Sequence, residues 1–481
     1  MKSGSRQSVS SSTVVFAAFF FVAGLADGQT LSWGVNGAGG SGNWDTTTAD
    51  WFNGSQNVTW PSGGNAIFGG AAGGTVNSFT FGPVVSSITF NTPGYVIQNG
   101  YLQSGTNGLT VTTNVDATIG SNLENSASAG NFLVKNGPAA LVLSGGTNFL
   151  GAAQVSQGEL QLAGSSNLFF SSVTLADAPG VTVTLAQSSS ITDMMSLAGG
   201  GTSGGIVQPN NQARTVTLDI FRGGNFGGVL QDNGSGILAV DLFGTNSTET
   251  LTNVNTYSGS TSVSGNLVLT GNGSAPNSSV SVFPFSSLVL DDTGVVVANR
   301  ISDSKAVGLN GGSLQLKGNS ATPVEEVLGS LTVTGVGNVT VMQPGSAAAE
   351  LTFAGLQRNG HATLNVVGPG IRFVGLSNGA NGIVPVYVTL GNEWATVGGD
   401  GRFAPYSAYA GDLNSGSTSD HVKLTSSGTT LLAAPTTRAS LNMQNSDATV
   451  GQVLDLAGKS LALTSGGLLS SGAGSGDIRN G

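Results

Sequence analysis

Short segments in which every second residue is apolar recur along most of the chain. In the clearest form, two apolar residues flank one other residue, and the first members of successive pairs lie 21, 26, 17 and 20 residues apart. Alternation places both apolar members on one face of a β-strand. A repeat of roughly 20 residues is typical of one turn of a solenoid. The pairs are Leu267/Leu269, Leu288/Leu290, Leu314/Leu316, Leu331/Val333 and Leu351/Phe353.

The residues between these apolar positions complete the fold prediction. Glu159, Gln161, Gln315 and Lys317 alternate with the apolar residues and are expected to face outward or into turns. The chain has 76 Gly in 481 residues, and Gly and Asn suit the sharp corners that need φ > 0. β-Propellers and sandwiches also have many short strands, but the blade motifs of propellers are not visible. We therefore predict an all-β, right-handed parallel β-helix.

The longest internal repeat pairs residues 143–164 with residues 251–271. Both segments have an Asn near the turn, and one gap after Ser264 aligns an aromatic residue and a series of Gly, Val and Leu positions. Such a match exceeds what a Gly-rich composition gives by chance and indicates a true structural repeat. The aligned pairs are Phe149/Tyr257, Gly151/Gly259, Val155/Val263, Gly158/Gly265, Leu160/Leu267 and Leu162/Leu269.

Residues 130–164 contain a spaced series of Leu, Lys, Gly, Asn, Val and aromatic positions, namely Leu133, Lys135, Gly137, Leu141, Leu143, Gly145, Asn148, Phe149, Gly151, Val155, Gly158, Leu160 and Leu162. With these residues the segment resembles the autotransporter-associated β-strand repeat, and residues 251–271 are a weaker copy. Ala139 or Ala140 stands where the repeat has Gly. The resemblance implies an exported, passenger-like β-helix with no enzymatic activity. Typical autotransporters end in a translocator barrel, and we expect this chain to lack one.

The N-terminus has the form of a secretory signal peptide. Lys2 and Arg6 precede a 12-residue apolar run from Thr13 to Gly24, which is too short to span a membrane. Small residues in 26–28 predict cleavage after Gly28. The mature chain is then expected to be exported, extracellular or on the outer cell surface, with no transmembrane segment.

Four of the five tryptophans fall within 28 residues near the start of this mature chain. Trp33, Trp44, Trp51 and Trp60 are expected to close the open end of the solenoid core, in a cap with the first coils at 29–103. The alternative is a platform on which exposed Trp faces stack against sugars.

The rest of the sequence divides into three further regions. Residues 104–381 carry the repeats of the solenoid, and 382–425 depart from them with Trp394 and a group of Phe, Tyr and His residues. We expect 382–425 to form a lateral insertion or an edge feature. Residues 426–481 return to short strands, and we expect the sequence to stop within a repeat.

Composition limits the classes of partner. The net charge of −10 argues against nucleic acid, which requires a basic face. The chain has no Cys, so it has neither disulfides nor thiolate metal ligands. We expect no cofactor and no metal site. Extracellular polysaccharide or cell-surface molecules are the expected partners.

Few residues qualify as catalytic candidates. The acids are Asp291, Asp292, Glu325, Glu326 and Asp400, and adjacent acids on a strand point to opposite faces. Turns or solvated surface are their expected positions. The histidines, His361 and His421, lie 60 residues apart, about three coils, and are not expected to share a site.

Two functions remain open from the sequence. The first is a non-enzymatic surface or extracellular protein that presents an extended β-helical surface for adhesion or matrix contacts. The alternative is a carbohydrate-active β-helix, namely a polysaccharide lyase or hydrolase, or a sugar-binding module, which rests on fold analogy. Three or more acidic or basic side chains converging in one groove would favour the enzyme.

Overall fold

The computed structural model is an all-β parallel solenoid of about 16 turns, as the sequence predicted. It describes residues 28–124, 132–145, 151–163, 170–186, 191–194, 196–384, 388–474 and 476–481. The signal peptide prediction for residues 1–28 falls almost entirely outside these ranges. Within them there is one short 3₁₀ turn, Val35–Gly37, and no α-helix.

Three ladders of parallel strands run along the solenoid, and successive turns of the chain add strands to them. Ladder 1 is the longest. Its strands are β1 (Thr30–Trp33), β5 (Gly64–Phe68), β7 (Val84–Phe90), β10 (Leu109–Thr113), β13 (Phe132–Asn136), β15 (Ala152–Val155), β17 (Ser172–Leu175), β20 (Leu197–Gly199), β23 (Gly223–Phe226), β26 (Thr248–Leu251), β28 (Asn266–Thr270), β30 (Ser287–Asp291) and β32 (Ser313–Lys317). It continues through the ends of β33 (Val324–Met342) and β34 (Ala349–Val367) to β36 (Val388–Leu390).

Ladders 2 and 3 form the other faces. Ladder 2 contains the start of β7, β9 (Tyr101–Ser104) and β12 (Asn122–Glu124), and later β19 (Ile191–Met194), β22 (Thr215–Ile220), β25 (Ile237–Leu242), β27 (Thr261–Val263), β29 (Val280–Val282) and β31 (Val307–Asn310). Ladder 3 contains β2 (Gly42–Asn43), β6 (Thr75–Asn77), β8 (Val96–Gln98), β11 (Ala117–Ile119), β14 (Leu141–Leu143), β16 (Glu159–Leu162), β18 (Thr182–Leu185), β21 (Ile206–Pro209) and β24 (Val229–Leu230). β33 and β34 are long enough to cross all three faces, and β35 (Ile371–Phe373) pairs with β34.

Antiparallel strands interrupt the solenoid where the sequence pattern changes. β36 pairs with β37 (Glu393–Val397), which pairs with β38 (Phe403–Pro405). Parallel stacking then resumes in two ladders with a separate apolar core. One ladder is β39 (His421–Leu424), β41 (Thr436–Asn445) and β43 (Leu461–Gly472); the other is β40 (Gly428–Leu431), β42 (Gln452–Asp455) and β44 (Gly476–Arg479).

Stacked inward side chains form the core. Leu251, Leu269, Leu290, Leu316 and Val341 occupy one column of ladder 1, and each is at most 3% exposed. Burial of each such side chain stabilises the fold by about 1.5–3 kcal/mol relative to leaving it in water. Strict alternation with polar residues keeps this column inside on every coil.

A tryptophan cluster fills the core at the N-terminal end. Trp33, Trp44, Trp51 and Trp60 are at most 3% exposed. The centroid of the Trp51 ring lies 4.9 Å from that of Trp44 and 4.5 Å from that of Trp60. These rings pack against one another and against Phe68. A platform for sugars requires exposed faces, which these four residues lack.

Strands β1 and β3 supply two of these rings and form a small antiparallel unit beside the first coils. β3 (Trp51–Phe52) pairs with β1 on one side and with β4 (Asn57–Val58) on the other. Because β1 pairs with β5 on one side and with β3 on the other, the first strand of the parallel stack does not present an open edge.

Lys135 and Gly137 show what the motif residues do. Lys135 faces inward and is fully buried, with its Nζ donating to the carbonyl oxygens of Asn136, Gly137 and Gln157 at 3.0, 2.8 and 2.9 Å. Gly137 has φ of 81°, and a Cβ there would lie 2.3 Å from Thr113 O. The Lys thus fixes a turn whose backbone only Gly adopts without strain.

In the second copy, the motif Asn also joins coils, and the motif aromatic residue is buried and bonded within its own coil. Asn255 is buried, accepts a hydrogen bond from the Leu230 N–H at 2.9 Å and donates to Ser274 O at 3.1 Å. The Tyr257 hydroxyl lies 2.7 Å from the hydroxyl of Thr261. Phe149, the aromatic residue of the first copy, lies outside the described residues.

Candidate functional site

A row of neutral polar side chains follows the outer face of ladder 1 over seven consecutive coils. All seven are partly or fully exposed, and none is charged. At about 4.8 Å per coil, the row extends over roughly 29 Å. We call this row the polar ladder, and it consists of Thr248, Asn266, Ser287, Ser313, Asn338, Asn365 and Thr389.

Side-chain hydrogen bonds connect parts of the polar ladder. Ser287 Oγ donates to Asn266 Oδ1 at 2.7 Å, and Thr389 Oγ1 donates to Asn365 Oδ1 at 3.1 Å. Asn365 Nδ2 reaches Asn338 Oδ1 at 3.5 Å. These contacts hold donors and acceptors at a fixed spacing, which is the geometry needed to bind an extended polar ligand at repeated points.

The polar ladder ends at a cavity of about 500 Å³ between the last coil of the solenoid and the C-terminal ladders. Asn365 and Thr389 belong to both features. The segment from Arg358 to Thr363 forms one wall because β34 carries two more residues there than its partner β33. We call it the junction cavity, lined by Val336, Arg358, His361, Thr363, Asn365, Thr389, Trp394, Gly467, Leu468 and Leu469.

Contacts on both sides fix the position of Trp394 in this cavity. The backbone N–H of Trp394 donates to Tyr409 Oη at 3.0 Å, and its backbone carbonyl oxygen accepts from the backbone N–H of Tyr406 at 2.7 Å. A Cβ on Gly467 would lie 3.0 Å from the indole ring. Lys423 and Glu393 form an ion pair at 2.5 Å that ties β39 to β37 beside this tryptophan.

Two of the sequence candidates meet in a buried ion cluster rather than at a surface. Asp292, Arg300 and Glu326 are all fully buried. Arg300 Nη2 lies 2.8 Å from Asp292 Oδ1, while Glu326 accepts the backbone N–H groups of Arg300 and Ile301 at 3.1 and 2.9 Å. Burial raises the pKa of Glu326 to about 7, against the effect of these hydrogen bonds. The expectation of a turn or solvated surface was therefore wrong for Glu326, which is buried within β33. Asp292 does follow the end of β30, at the start of the connection to β31, but its side chain is buried rather than solvated.

The hydrogen bonds of Arg300 explain why this cluster of charged side chains can be buried. Its guanidinium also donates to the carbonyl oxygens of Gly271, Gly273, Asp291 and Val295, at distances from 2.5 to 3.1 Å. A buried charge is retained in proteins when it is paired and hydrogen-bonded in this way. The cluster pins the connection between β30 and β31 to neighbouring coils and offers no surface to a substrate.

The other acidic candidates stand apart from this cluster. Asp291 and Glu325 point away from their buried neighbours, as alternation predicted, and Asp291 pairs with Lys317 at 3.4 Å. Asp400 is exposed, and hydrogen bonds from Arg402 lower the pKa of its carboxyl. Arg402 also pairs with Glu350. These carboxylates do not converge in one groove.

The two histidines occupy different environments. His361 is exposed and lines the junction cavity. His421 is buried, with Nδ1 2.6 Å from Ser440 Oγ and Nε2 2.7 Å from Asn381 O. Burial lowers the pKa of His421. The structure thus gives His421 a packing role and keeps it out of the cavity.

Sequence reasoning missed a second kind of buried charge. Glu249 is 1% exposed, and neither of its carboxylate oxygens has a hydrogen-bond partner. It occupies an inward position of ladder 1 between Gly224 and Leu267, and burial raises the pKa of its carboxyl well above the usual value. In the segment Thr-Glu-Thr-Leu at 248–251, Glu249 and Leu251 alternate with the two threonines. This alternation places Glu249 on the same inward face as Leu251, and it was the signal that the sequence offered.

Two other kinds of site are absent from the described part of the chain. No group of three or more His, Asp or Glu residues there is arranged to hold a metal ion. No helix in those ranges has the length and apolar character needed to cross a membrane.

Comparison with known proteins links the chain to an adhesin. No protein-family model matches the chain, and no solved structure matches it. Over 157 residues it is 36% identical to the Adhesin BmaC autotransporter of Brucella suis biovar 1 (strain 1330). The match covers 31% of this chain but only 4% of that adhesin. The similarity and the β-solenoid together confirm the resemblance to an autotransporter passenger-like protein.

Proposed function

We propose that this chain is an exported, non-enzymatic surface protein whose solenoid makes adhesive contacts with extracellular or cell-surface molecules. The polar ladder carries the proposal. It presents neutral amides and hydroxyls on seven consecutive coils, without a charge among them. Weak contacts repeated at such a spacing combine into strong attachment to a repetitive partner.

The similarity to an adhesin supports this function, although it covers a small part of the relative. The positions of the candidate acids also support it over the lyase or hydrolase. Asp292 and Glu326 are bound to Arg300 in the interior, and Asp400 is paired with Arg402 at the surface. A glycoside hydrolase needs two carboxyl groups flanking one bond of the substrate.

Retention of beads coated with the full chain on immobilised extracellular polysaccharides tests the proposal. Substitutions Asn266→Glu and Ser313→Glu place charges on the polar ladder, whereas Thr332→Glu places one on the outer face of ladder 2. We expect retention to fall at least about threefold in the double variant and to be unchanged in the control. Circular dichroism checks that each variant folds.

Two results would overturn the function. One is equal retention of the parent, the double variant and the control on every surface tested. The other is release of shortened saccharides from the coated surface, because an adhesive protein leaves the polymer intact.

A further inference from the structure

We propose that the junction cavity binds a carboxylate-bearing sugar residue, such as a uronic acid unit of an extracellular polysaccharide. The inference rests on the proposed function, since it names the chemical class of partner that the adhesive surface holds. It concerns the cavity at one end of the polar ladder, which shares Asn365 and Thr389 with that ladder and adds Arg358 and His361.

The size and composition of the cavity fit a short saccharide. Its volume of about 500 Å³ lies within the range of about 300–1,000 Å³ that is usual for small-molecule sites. Val336 and Leu468 are 59% and 50% exposed, although both are large apolar residues. An apolar wall beside a few polar groups is typical of a binding pocket. Here it matches the apolar face and the hydroxyl edge of a sugar ring.

The charges around the cavity select an anionic sugar. The described residues that line it include Arg358 and His361 and no carboxylate, in a chain whose net charge is −10. Arg358 Nε donates to Ala362 O at 2.7 Å, across the turn that contains His361. This bond orients a planar guanidinium, the group best suited to bind a carboxylate through two parallel hydrogen bonds.

Neutral polar groups complete the site. Thr363 and Thr389 supply hydroxyls, and Asn365 supplies an amide that Thr389 holds in place. Such groups donate to and accept from sugar hydroxyls. Since Asn365 and Thr389 are also rungs of the polar ladder, a polysaccharide anchored in the cavity can continue along the outer face of ladder 1.

Calorimetric titration of the full chain with two disaccharides tests this assignment. Cellobiuronic acid and cellobiose differ only in the carboxylate, so they form a matched pair of probes. We expect the acidic disaccharide to bind at least about tenfold more tightly, since hydrogen bonds to a charged group are stronger than those to a neutral one.

Variants locate the binding. Arg358→Gln is expected to weaken cellobiuronic acid binding at least about tenfold, and His361→Ala, at an exposed position, should weaken it about threefold. Arg222→Gln is the matched control, because Arg222 is exposed on a distant coil. If Arg358→Gln fails to fold, His361→Ala still tests the assignment.

The assignment is overturned by any of three results. These are equal affinity for the two disaccharides, no binding of either by the parent chain at millimolar concentration, and unchanged binding in both cavity variants. If the cavity assignment fails but the coated beads are still retained on polysaccharide surfaces, the adhesive function stands. If retention is lost but cellobiuronic acid still binds tightly, the cavity assignment stands and the adhesive function fails.

Discussion

Lys135 Nζ lies 2.9 Å from the carbonyl oxygen of Gln157, so one side chain joins two successive coils. Similar links recur in this cysteine-free chain. Arg300 and Arg438 are also buried, and each donates to backbone carbonyl oxygens at turns of other coils. Buried cations thereby supply the kind of cross-link between coils that disulfides supply in many secreted proteins.

Lys135 gives the fold an alkaline pH dependence. Burial lowers the pKa of its ammonium to about 8, against 10.5 for the unfolded chain. Between these values the unfolded chain binds a proton that the folded chain has released. The free energy of unfolding contributed by this group therefore rises with pH from about 8 to about 10.5.

Substitution of Lys135 by Met should remove that rise. We also expect Lys135→Met to lower the free energy of unfolding at pH 7 by about 1–3 kcal/mol, because three carbonyl oxygens lose their donor. Denaturant unfolding measured from pH 7 to 10.5 checks both effects. Lys459→Met, at a partly exposed position, serves as control and should keep the rise.

The buried ion cluster predicts a steep cost for Arg300→Met. This variant leaves Asp292 and Glu326 buried without their cation, and we expect a loss of about 3–5 kcal/mol in the free energy of unfolding. Addition of Asp292→Leu should restore part of the loss by removing one uncompensated charge. Urea unfolding of the single and double variants measures this coupling.

A cost below about 1 kcal/mol for Arg300→Met would contradict the cluster's role. Arg222→Met provides the control at an exposed position. Limited proteolysis adds a local measurement. The connection between β30 and β31 should become a cleavage site in Arg300→Met alone, because Arg300 holds Gly271, Gly273 and Val295 through their carbonyl oxygens.

The sequence was sufficient to predict the repeating part of the structure. Alternation at Leu267/Leu269 and Leu288/Leu290 specified which side chains face inward, and in-register stacking then places them in one column. The spacing between such pairs specified the coil length. These are local properties of the chain, so a single sequence contains them.

The charged interior and the cavity could not be predicted in this way. Whether Glu326 is buried depends on its contact with Arg300, 26 residues earlier on another coil. Coil lengths vary between pairs, so the sequence does not show which turns become neighbours. The junction cavity combines Arg358, Trp394 and Leu468 from three separate segments, and none of these segments carries a motif for the others.

The tryptophan cluster should make the N-terminal coils sensitive to truncation of a single ring. Trp44 is fully buried and packs against Trp51, Trp60 and Phe68. We expect Trp44→Ala to lower the free energy of unfolding by about 3–5 kcal/mol. Phe285→Ala is the control, since that ring is 89% exposed. Amide hydrogen exchange should show faster exchange in β1, β5 and β7 for Trp44→Ala, and equal exchange in both variants would contradict the cluster's role.

Glu249 makes a contribution to the free energy of unfolding that is expected to fall as pH rises from acid to neutral. Its carboxyl is buried without a partner, so the folded chain keeps the proton at a pH where the unfolded chain, with a Glu pKa of about 4.3, has released it. The contribution of this group to the free energy of unfolding is thus unaffected below about pH 4. It falls as pH rises above that value, until the folded pKa is reached.

Replacement of Glu249 by Leu should therefore stabilise the chain at pH 7.5 more than at pH 4. Leu also continues the apolar column formed by Leu267 and Leu288 on the next two coils. We expect a gain of at least about 1 kcal/mol at pH 7.5, since an unpaired polar group in the core carries a cost of about 1–3 kcal/mol. Denaturant unfolding at both pH values measures it, with Glu325→Leu at an exposed position as control. A gain of the same size at both pH values would show that packing alone, and not the buried carboxyl, is responsible.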